Sequence, residues 1–427
     1  KCRLFETLVA LGFEEIEIGF PSASATEFDF VRRLIEERRI PDSVTIQVLT
    51  QCREDLIGRT FEAITGAPRT IVHFYNSTSP LQRRVVFRES RAGIVRIACD
   101  AARQVREQAD ALVSEQIRFE YTPESFSSTE VEFAVEISEA VMAELGASAA
   151  RPLILNLPST VEVSTPNVYA DQVESFGRRL SQRDAAILSV HPHNDRGTAV
   201  AAAELACLAG AERVEGTLFG NGERTGNVDL VTLALNLMTQ GVDPELDLRD
   251  LPALVRRVEA ANRLPVPARH PYAGELVYTA FSGSHQDAVR KGLAAMQAES
   301  NPFWEVPYLP VDPVDVGRDY EAVIRINSQS GKGGIAYLLE KDAGYRIPRR
   351  MQIEFSGTVQ ATADRTGHEI TREQVRTLFE REYFGLEAGP RLVGDRTLIA
   401  EGEGGSQALT ACVEWGCLLY TSPSPRD

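Results

Sequence analysis

The sequence predicts an α/β protein: a (βα)8 TIM barrel missing its first strand, followed by small α+β linker subdomains and a short carboxyl-terminal segment. Three observations lead there: β-branched runs alternate with amphipathic helical stretches, each run ends in chemistry-capable residues, and prolines break the rhythm beyond about residue 265. The runs fall at 15–20, 45–50, 70–75, 118–121, 153–157, 186–191 and 213–217. Their starts are about 25 to 50 residues apart, close to the roughly 30-residue βα repeat of a barrel of about 250 residues. An eighth strand ahead of Lys1 would close the ring. The helical pattern of Leu4, Phe5, Leu8, Val9 and Leu11 ends at Gly12, a glycine placed as a helix C-cap. No GxGxxG follows any strand, which argues against an open dinucleotide-binding sheet.

The polar residues at the strand ends are Glu17, Leu49–Gln51, His73 with Tyr75 and Asn76, Thr122 with Glu124, Asn156 with Ser159 and Thr160, the run from His191 to Asp195, and Glu215 with Thr217. The carboxyl ends of barrel strands are where active sites of this architecture sit. The barrel is expected over 1–274, with linker subdomain I over 275–327, linker subdomain II over 328–388 and a segment too short for a stable domain over 389–416. Helices are expected at 284–298 and 335–339, strands at 320–327 and 352–355, and one strand plus the start of a helix in 389–416. Residues 417–427, CLLYTSPSPRD, read as a non-native tail of adapter or vector sequence and are left out of fold reasoning.

The chain has 427 residues, 43% hydrophobic and 25% charged, the balance of a folded enzyme. A net charge of −16 argues against a nucleic-acid partner, which needs a concentrated basic face. Six cysteines without a CxxC pair suit a reducing compartment, and no apolar stretch approaches the roughly 20 residues of a membrane span. A cytoplasmic protein that binds no membrane is expected.

The strongest local signal is HPHND, 191–195. Side chains two apart on a strand point the same way, so His191 and His193 project together, half of a metal site. Alone, the pair reads equally well as hydrogen-bonded strand-end histidines. GTLFGNGERTGN, 216–227, follows the last strand; its glycines permit close backbone approach, and Asn221, Glu223, Arg224 and Asn227 supply polar contacts. One helix, 198–208, separates the two motifs, so they lie on adjacent loops of one barrel mouth. SGKGG, 330–334, lacks the GxxxxGK[ST] spacing and reads as a loop. Arg83, Arg84, Arg88 and Arg91 form a basic run whose default reading is a solvated helix face, with coenzyme A phosphates as the alternative.

Residues 191–230, HPHNDRGTAVAAAELACLAGAERVEGTLFGNGERTGNVDL, resemble the signature of barrel enzymes that handle acyl-CoA carbanions over a divalent metal. FSGSHQDAVRKGL at 281–293, VPYLPVDPVDVGR at 306–318 and INSQSGKGG at 326–334 resemble the 2-isopropylmalate synthase family in its long actinobacterial form. The resemblance runs to about residue 415. It implies an acyltransferase joining acetyl-CoA to 2-oxoisovalerate, the first committed step of leucine biosynthesis, with a divalent cofactor (Zn, Mg or Mn). It makes His191, His193 and Asn227 metal ligands. It places the 2-oxo acid against Leu49, His73, Tyr75, Thr122, Glu124, Pro158 and Thr160, and His285 and Tyr308 as catalytic groups on the acetyl-CoA side; Glu124 and Glu223 are further acid/base candidates.

It further implies a homodimer in which His285 and Tyr308 reach the neighbouring barrel, a truncated regulatory domain, leucine-binding in the family, that starts over 389–416, and leucine as inhibitor of the full-length parent only. The family's aspartate ligand and adjacent arginine lie in an Arg-Asp-Gly turn absent from this sequence, so the site is expected to be incomplete as the chain stands. Homocitrate and citramalate synthases and a non-catalytic barrel subunit are the alternatives. A second substrate carboxylate would demand a basic partner; none of Leu49, Tyr75, Thr122, Pro158 or Thr160 supplies a fixed cation, and His73 could do so only if protonated.

Overall fold

The computed structural model describes residues 1–112, 116–279, 282–299, 303–318, 332–366 and 370–384, with strand backbone at 391–392, 397–400, 407–415 and 418–423. Two units are present: Lys1–Val277 with Val311–Arg318, and Tyr278–Pro310 with Asp319–Asp427.

In the first unit the expected alternation forms. Its elements run α1 (Cys2–Leu11), β1 (Glu15–Gly19), α2 (Ala25–Glu36), β2 (Thr45–Gln51), α3 (Glu54–Ile64), β3 (Arg69–Ser77) and α4 (Pro80–Gln82), which continues as a π-turn over Arg83–Phe87. There follow α5 (Arg91–Ala111), β4 (Gln116–Glu124), α6 (Val131–Leu145), β5 (Leu153–Ser159), α7 (Pro166–Arg179), β6 (Ala186–Pro192), α8 (Ala199–Leu208), β7 (Arg213–Val214), α9 (Leu230–Thr239) and α10 (Leu251–Asn262). Gly12 ends α1 at φ 100°, the left-handed conformation a C-cap glycine adopts without penalty.

All seven strands are parallel and ordered β1 to β7. Helices cover the outside, so the strands are apolar on that face as well, and every residue of β5 is buried. β1 and β7 share no strand pairing among the described residues, yet the sheet curls until their side chains meet. Arg213 Nε on β7 lies 2.7 Å from Glu15 Oε2 on β1, and its other arm lies 2.8 Å from Gln47 Oε1 on β2. Outside the gap, α10 packs against α1, and Asp247 N–H donates to Leu11 O at 2.8 Å. This is a (βα)8-type barrel with one stave open.

The last strand is shorter than the 213–217 expected. Glu212 and Glu215 N–H still donate to Leu188 O and Val190 O, each at 2.8 Å, but beyond them the backbone turns to meet the glycine-rich loop. Among the described residues no helix is long and apolar enough to cross a membrane, and Cys2, Cys52, Cys99 and Cys207 are free thiols.

The second unit contains α11 (Gly283–Glu299), α12 (Lys332–Ala343), α13 (Arg349–Thr366) and α14 (Arg372–Tyr383). The strand expected at 352–355 is instead part of α13. MQIEF at 351–355 alternates apolar and polar residues, but the buried residues Phe355, Val359 and Ala363 recur every four, the period of a helix face. The strand expected at 320–327 lies outside the described residues, as do Ser330 and Gly331 of the expected SGKGG loop, while its last three residues, Lys332–Gly334, open α12 instead. At the carboxyl end β8 (Arg391–Leu392), β9 (Thr397–Ala400), β10 (Gln407–Trp415) and β11 (Leu418–Pro423) form an antiparallel sheet around β10. The helix start expected before residue 416 is therefore a strand, as the β-branched and aromatic residues of QALTACVEW favour.

Candidate active site

Because the strands are parallel and in register, side chains from β1 to β7 converge inside one barrel. A polar layer fills its centre. Gln47 Nε2 donates to Glu17 Oε2 and Glu215 Oε1, both at 2.9 Å, while Arg213 sits 2.6 Å from Glu215 Oε1 and 3.3 Å from Glu120 Oε2. His73 Nδ1 lies 3.4 Å from Glu120 Oε1, which is buried with no hydrogen-bond partner among the described residues. Burial and the neighbouring Glu215 charge push the Glu120 carboxyl well above the usual range. Burial also opposes ionisation of Glu215, but the His191 hydrogen bond and the Arg213 charge outweigh it and hold that carboxyl well below the usual range.

HPHND and the glycine-rich loop meet at the mouth. The returning loop runs antiparallel to the end of β6: His193 bridges Asn227, Val228 N–H donates to Pro192 O at 2.8 Å, and Asn194 N–H to Gly226 O at 2.9 Å. Gly226 permits this. At φ 92° its backbone passes so near Gly220 that a Cβ would stand 1.7 Å from the Gly220 carbonyl oxygen.

The histidines do project together, with ring centroids 5.3 Å apart. His191 Nδ1 faces Glu215 Oε2 at 2.9 Å, and Nε2 faces Asn227 Oδ1 at 3.0 Å. Asn227 Nδ2 donates to Asn221 O, so the amide oxygen is the atom turned toward the ring. His193 Nδ1 lies 2.6 Å from a guanidinium nitrogen of Arg224, which also bonds Asp195 at 2.9 Å and Thr160 O at 2.6 Å.

These residues suit a metal ion. Two ligands at right angles around an ion with bonds of about 2.1 Å stand about 3 Å apart, the separation of His191 Nε2 from Asn227 Oδ1. Glu215 on Nδ1 is the carboxylate partner that leaves Nε2 free to ligate. Burial and the His191 and Arg224 charges lower His193 to about 4, so its imidazole is neutral near pH 7. For His191, burial opposes protonation, but the Glu215 hydrogen bond overcomes it and raises the value.

A second set of ligand-type atoms, from His73, Glu120 and Glu215, lies within 4.8 Å in the polar layer. Sequence reading passed over Gln47, Glu120 and Arg213. Their signal was present all the same, because strands buried on both faces are near-continuous hydrophobic runs and a Gln or Glu inside TIQVLT or RFEYT interrupts one.

The remaining expected residues are distributed as follows. Thr122 Oγ1 is 2.6 Å from His73 Nε2 and accepts from Asn156 Nδ2 at 3.2 Å. Leu49 pairs with His73 in the sheet register and Pro158 with His191, which places both beside the polar layer. Tyr75 accepts from Gln51 at 3.2 Å, and Thr160 Oγ1 accepts from Ser125 N–H at 2.9 Å. The Glu124 carboxylate is held by the Ser77 hydroxyl, whereas Glu223 keeps 83% of its side chain in water. His285 and Tyr308 belong to the second unit, where their rings stack at 4.1 Å.

The basic run is not a solvated helix face. Arg83 is buried and, with Arg91, grips Glu130; Arg84 and Arg88 remain exposed.

Residues 1–258 match the HMGL-like family, and residues 275–340 match the alpha-isopropylmalate synthase post-catalytic domain-like family. The chain is 62% identical to a 2-isopropylmalate synthase of Rhodospirillum rubrum over 90% of its own length and 69% of the relative's. It is 58% identical to that of a Parafrankia strain (94% and 72%) and 60% identical to that of Azotobacter vinelandii (93% and 71%). Identity this high across both matched regions, on a barrel of parallel strands, makes the chain a member of the 2-isopropylmalate synthase family.

Proposed function

We propose that the chain condenses acetyl-CoA with 2-oxoisovalerate and water to give 2-isopropylmalate and CoA. The observation that carries this reading is the convergence of His191 Nε2 and Asn227 Oδ1 beside His193, in a chain of this family. A divalent ion held by these three residues would supply Lewis-acid polarisation of the 2-oxo acid's ketone.

The chain's own residues account for the rest. Glu215 fixes the His191 tautomer, and the Asp195–Arg224 pair ties the loop carrying His193 to Thr160. Leu49, Tyr75 and Pro158 wall the isopropyl group, while Thr122 and Thr160 supply hydroxyls to the substrate's polar end. Glu124 is the better-placed proton acceptor for the acetyl methyl group, because Ser77 orients it and Glu223 is largely in water. The methyl carbon, having lost its proton, bonds to the ketone carbon; water then cleaves the thioester and CoA leaves as the thiol. His285 and Tyr308 act together on the acetyl-CoA side, as their stacking supports. The same reading makes the enzyme a cytoplasmic homodimer.

The test is release of free CoA thiol from acetyl-CoA with 2-oxoisovalerate, 2-oxoglutarate or pyruvate, with metal and with chelator. It is run on the chain and on a form extended at its amino end by one strand. Metal-dependent release selective for 2-oxoisovalerate is expected. Selectivity for another 2-oxo acid would move the enzyme to a homocitrate or citramalate synthase, and no release from either form would support a non-catalytic barrel.

A further inference from the structure

The segment between β3 and α5 is exposed, apolar and basic at once, and no part of the chemistry above uses it. It leaves β3 at the mouth, where Thr78 donates to Glu124 O at 3.0 Å through both its amide and its hydroxyl. It then forms the π-turn Arg83–Phe87, which Arg88 ends in the left-handed conformation at φ 56°. Both features are uncommon, and π-turns concentrate at functional positions.

The turn divides the basic run. Arg83 points inward, donating to Thr78 O at 2.7 Å and to both Glu130 oxygens, and so anchors the turn. Arg84 and Arg88 point into water with no ion-pair or hydrogen-bond partner among the described residues. The nearest acid in sequence, Glu89, packs against Gly93 at the start of α5 and lies 3.9 Å from Arg96. Beside the two free guanidinium groups, Leu81, Val85 and Val86 are 60%, 55% and 67% exposed.

We propose that this turn is the docking strip for the nucleotide end of the acyl-CoA substrate. Arg84 and Arg88 take its phosphates, and Leu81, Val85 and Val86 lie along the pantetheine arm leading to Glu124. The assignment rests on the acetyl-CoA reading above. Coenzyme A is a polyanion joined to a less polar arm, which matches a strip carrying free guanidinium groups next to exposed aliphatic ones. The chain's net charge of −16 repels such a ligand over most of its surface, so a local basic rim beside the mouth is where attraction must be concentrated. A nucleic acid would need a far larger basic face.

The test measures binding of CoA and of dephospho-CoA by calorimetry to the wild type, to Arg84→Ala/Arg88→Ala and to Arg84→Lys/Arg88→Lys, with 2-oxoisovalerate binding as the parallel control. Both arginines are exposed and unpaired, so the variants should melt with the wild type. The alanine pair is expected to weaken CoA by about tenfold or more. The lysine pair should retain most of the affinity, and dephospho-CoA should respond less than CoA. CoA affinity unchanged in the alanine pair overturns the proposal, as does a wild type that does not bind CoA. If sedimentation shows dissociation of the alanine pair with CoA affinity intact, the strip belongs to a second copy of the chain. Because the readout is binding, it stands even if turnover with 2-oxoisovalerate fails.

Discussion

At the mouth, Glu215 accepts the Nδ1 proton of His191 and thereby decides which ring nitrogen faces Asn227. Replacing Glu215 with Gln should weaken divalent-metal affinity by about 10- to 100-fold, read by calorimetric titration, because a partner behind a ligating histidine sets its tautomer and basicity. A loss below twofold would remove Glu215 from that role. The pH dependence follows from His191, whose proton-bound form is favoured by Glu215 above the ordinary value of 6.5. A metal must displace that proton, so affinity should rise with pH through the elevated value, and binding should release about one proton, seen as a buffer-dependent calorimetric heat. His193, near 4, adds no second step around neutrality. In the metal-free protein the His191–Glu215 pair contributes stability that is fully present below 6.5 and is lost as pH rises through the elevated value. Thermal melts across that window, with and without metal, should diverge as the pH increases.

Between residue and barrel, two loops hold the mouth in shape. Gly226→Ala would place a methyl carbon against the Gly220 carbonyl at a backbone angle that side chains rarely adopt. It should cost at least about 2 kcal/mol in urea unfolding and also reduce metal affinity, since Asn227 follows directly. Arg83→Ala should cost about 1–2 kcal/mol, less than a fully buried pair, because Glu130 keeps 34% of its side chain in water. The Arg83 hydrogen bond lowers Glu130 to about 2, so this contribution is present above 4.5 and fades as pH falls toward 2. Wild-type and variant stabilities should therefore converge in acid.

These loops also mark where the sequence was legible. Strands rich in β-branched residues and the glycines of 216–227 carry local signals, and Gly12 caps α1 where expected. The π-turn carries none, because its form depends on Glu130, a partner distant in the chain. MQIEF misled for the opposite reason: five residues are too few to separate period two from the four-residue spacing that packing against α12 and α14 imposes on α13.

Across the first unit, closure depends on side chains more than on backbone. From β7, Arg213 gathers Glu15 on β1, Gln47 on β2, Glu120 on β4 and Glu215 just beyond β7, drawing together β1 and β7, which exchange no ladder hydrogen bonds among the described residues. The order of strands was legible from spacing alone; the polar layer was not, because it exists only once seven separate strands face inward. The most direct test of the account is the position of a bound ion, located by anomalous scattering from crystals grown with manganese or zinc. The account predicts a peak within bonding distance, about 2.0–2.2 Å, of His191 Nε2 and Asn227 Oδ1, with His193 beside it. A peak held instead by His73, Glu120 and Glu215, with His191 still bonded to Asn227, would contradict it.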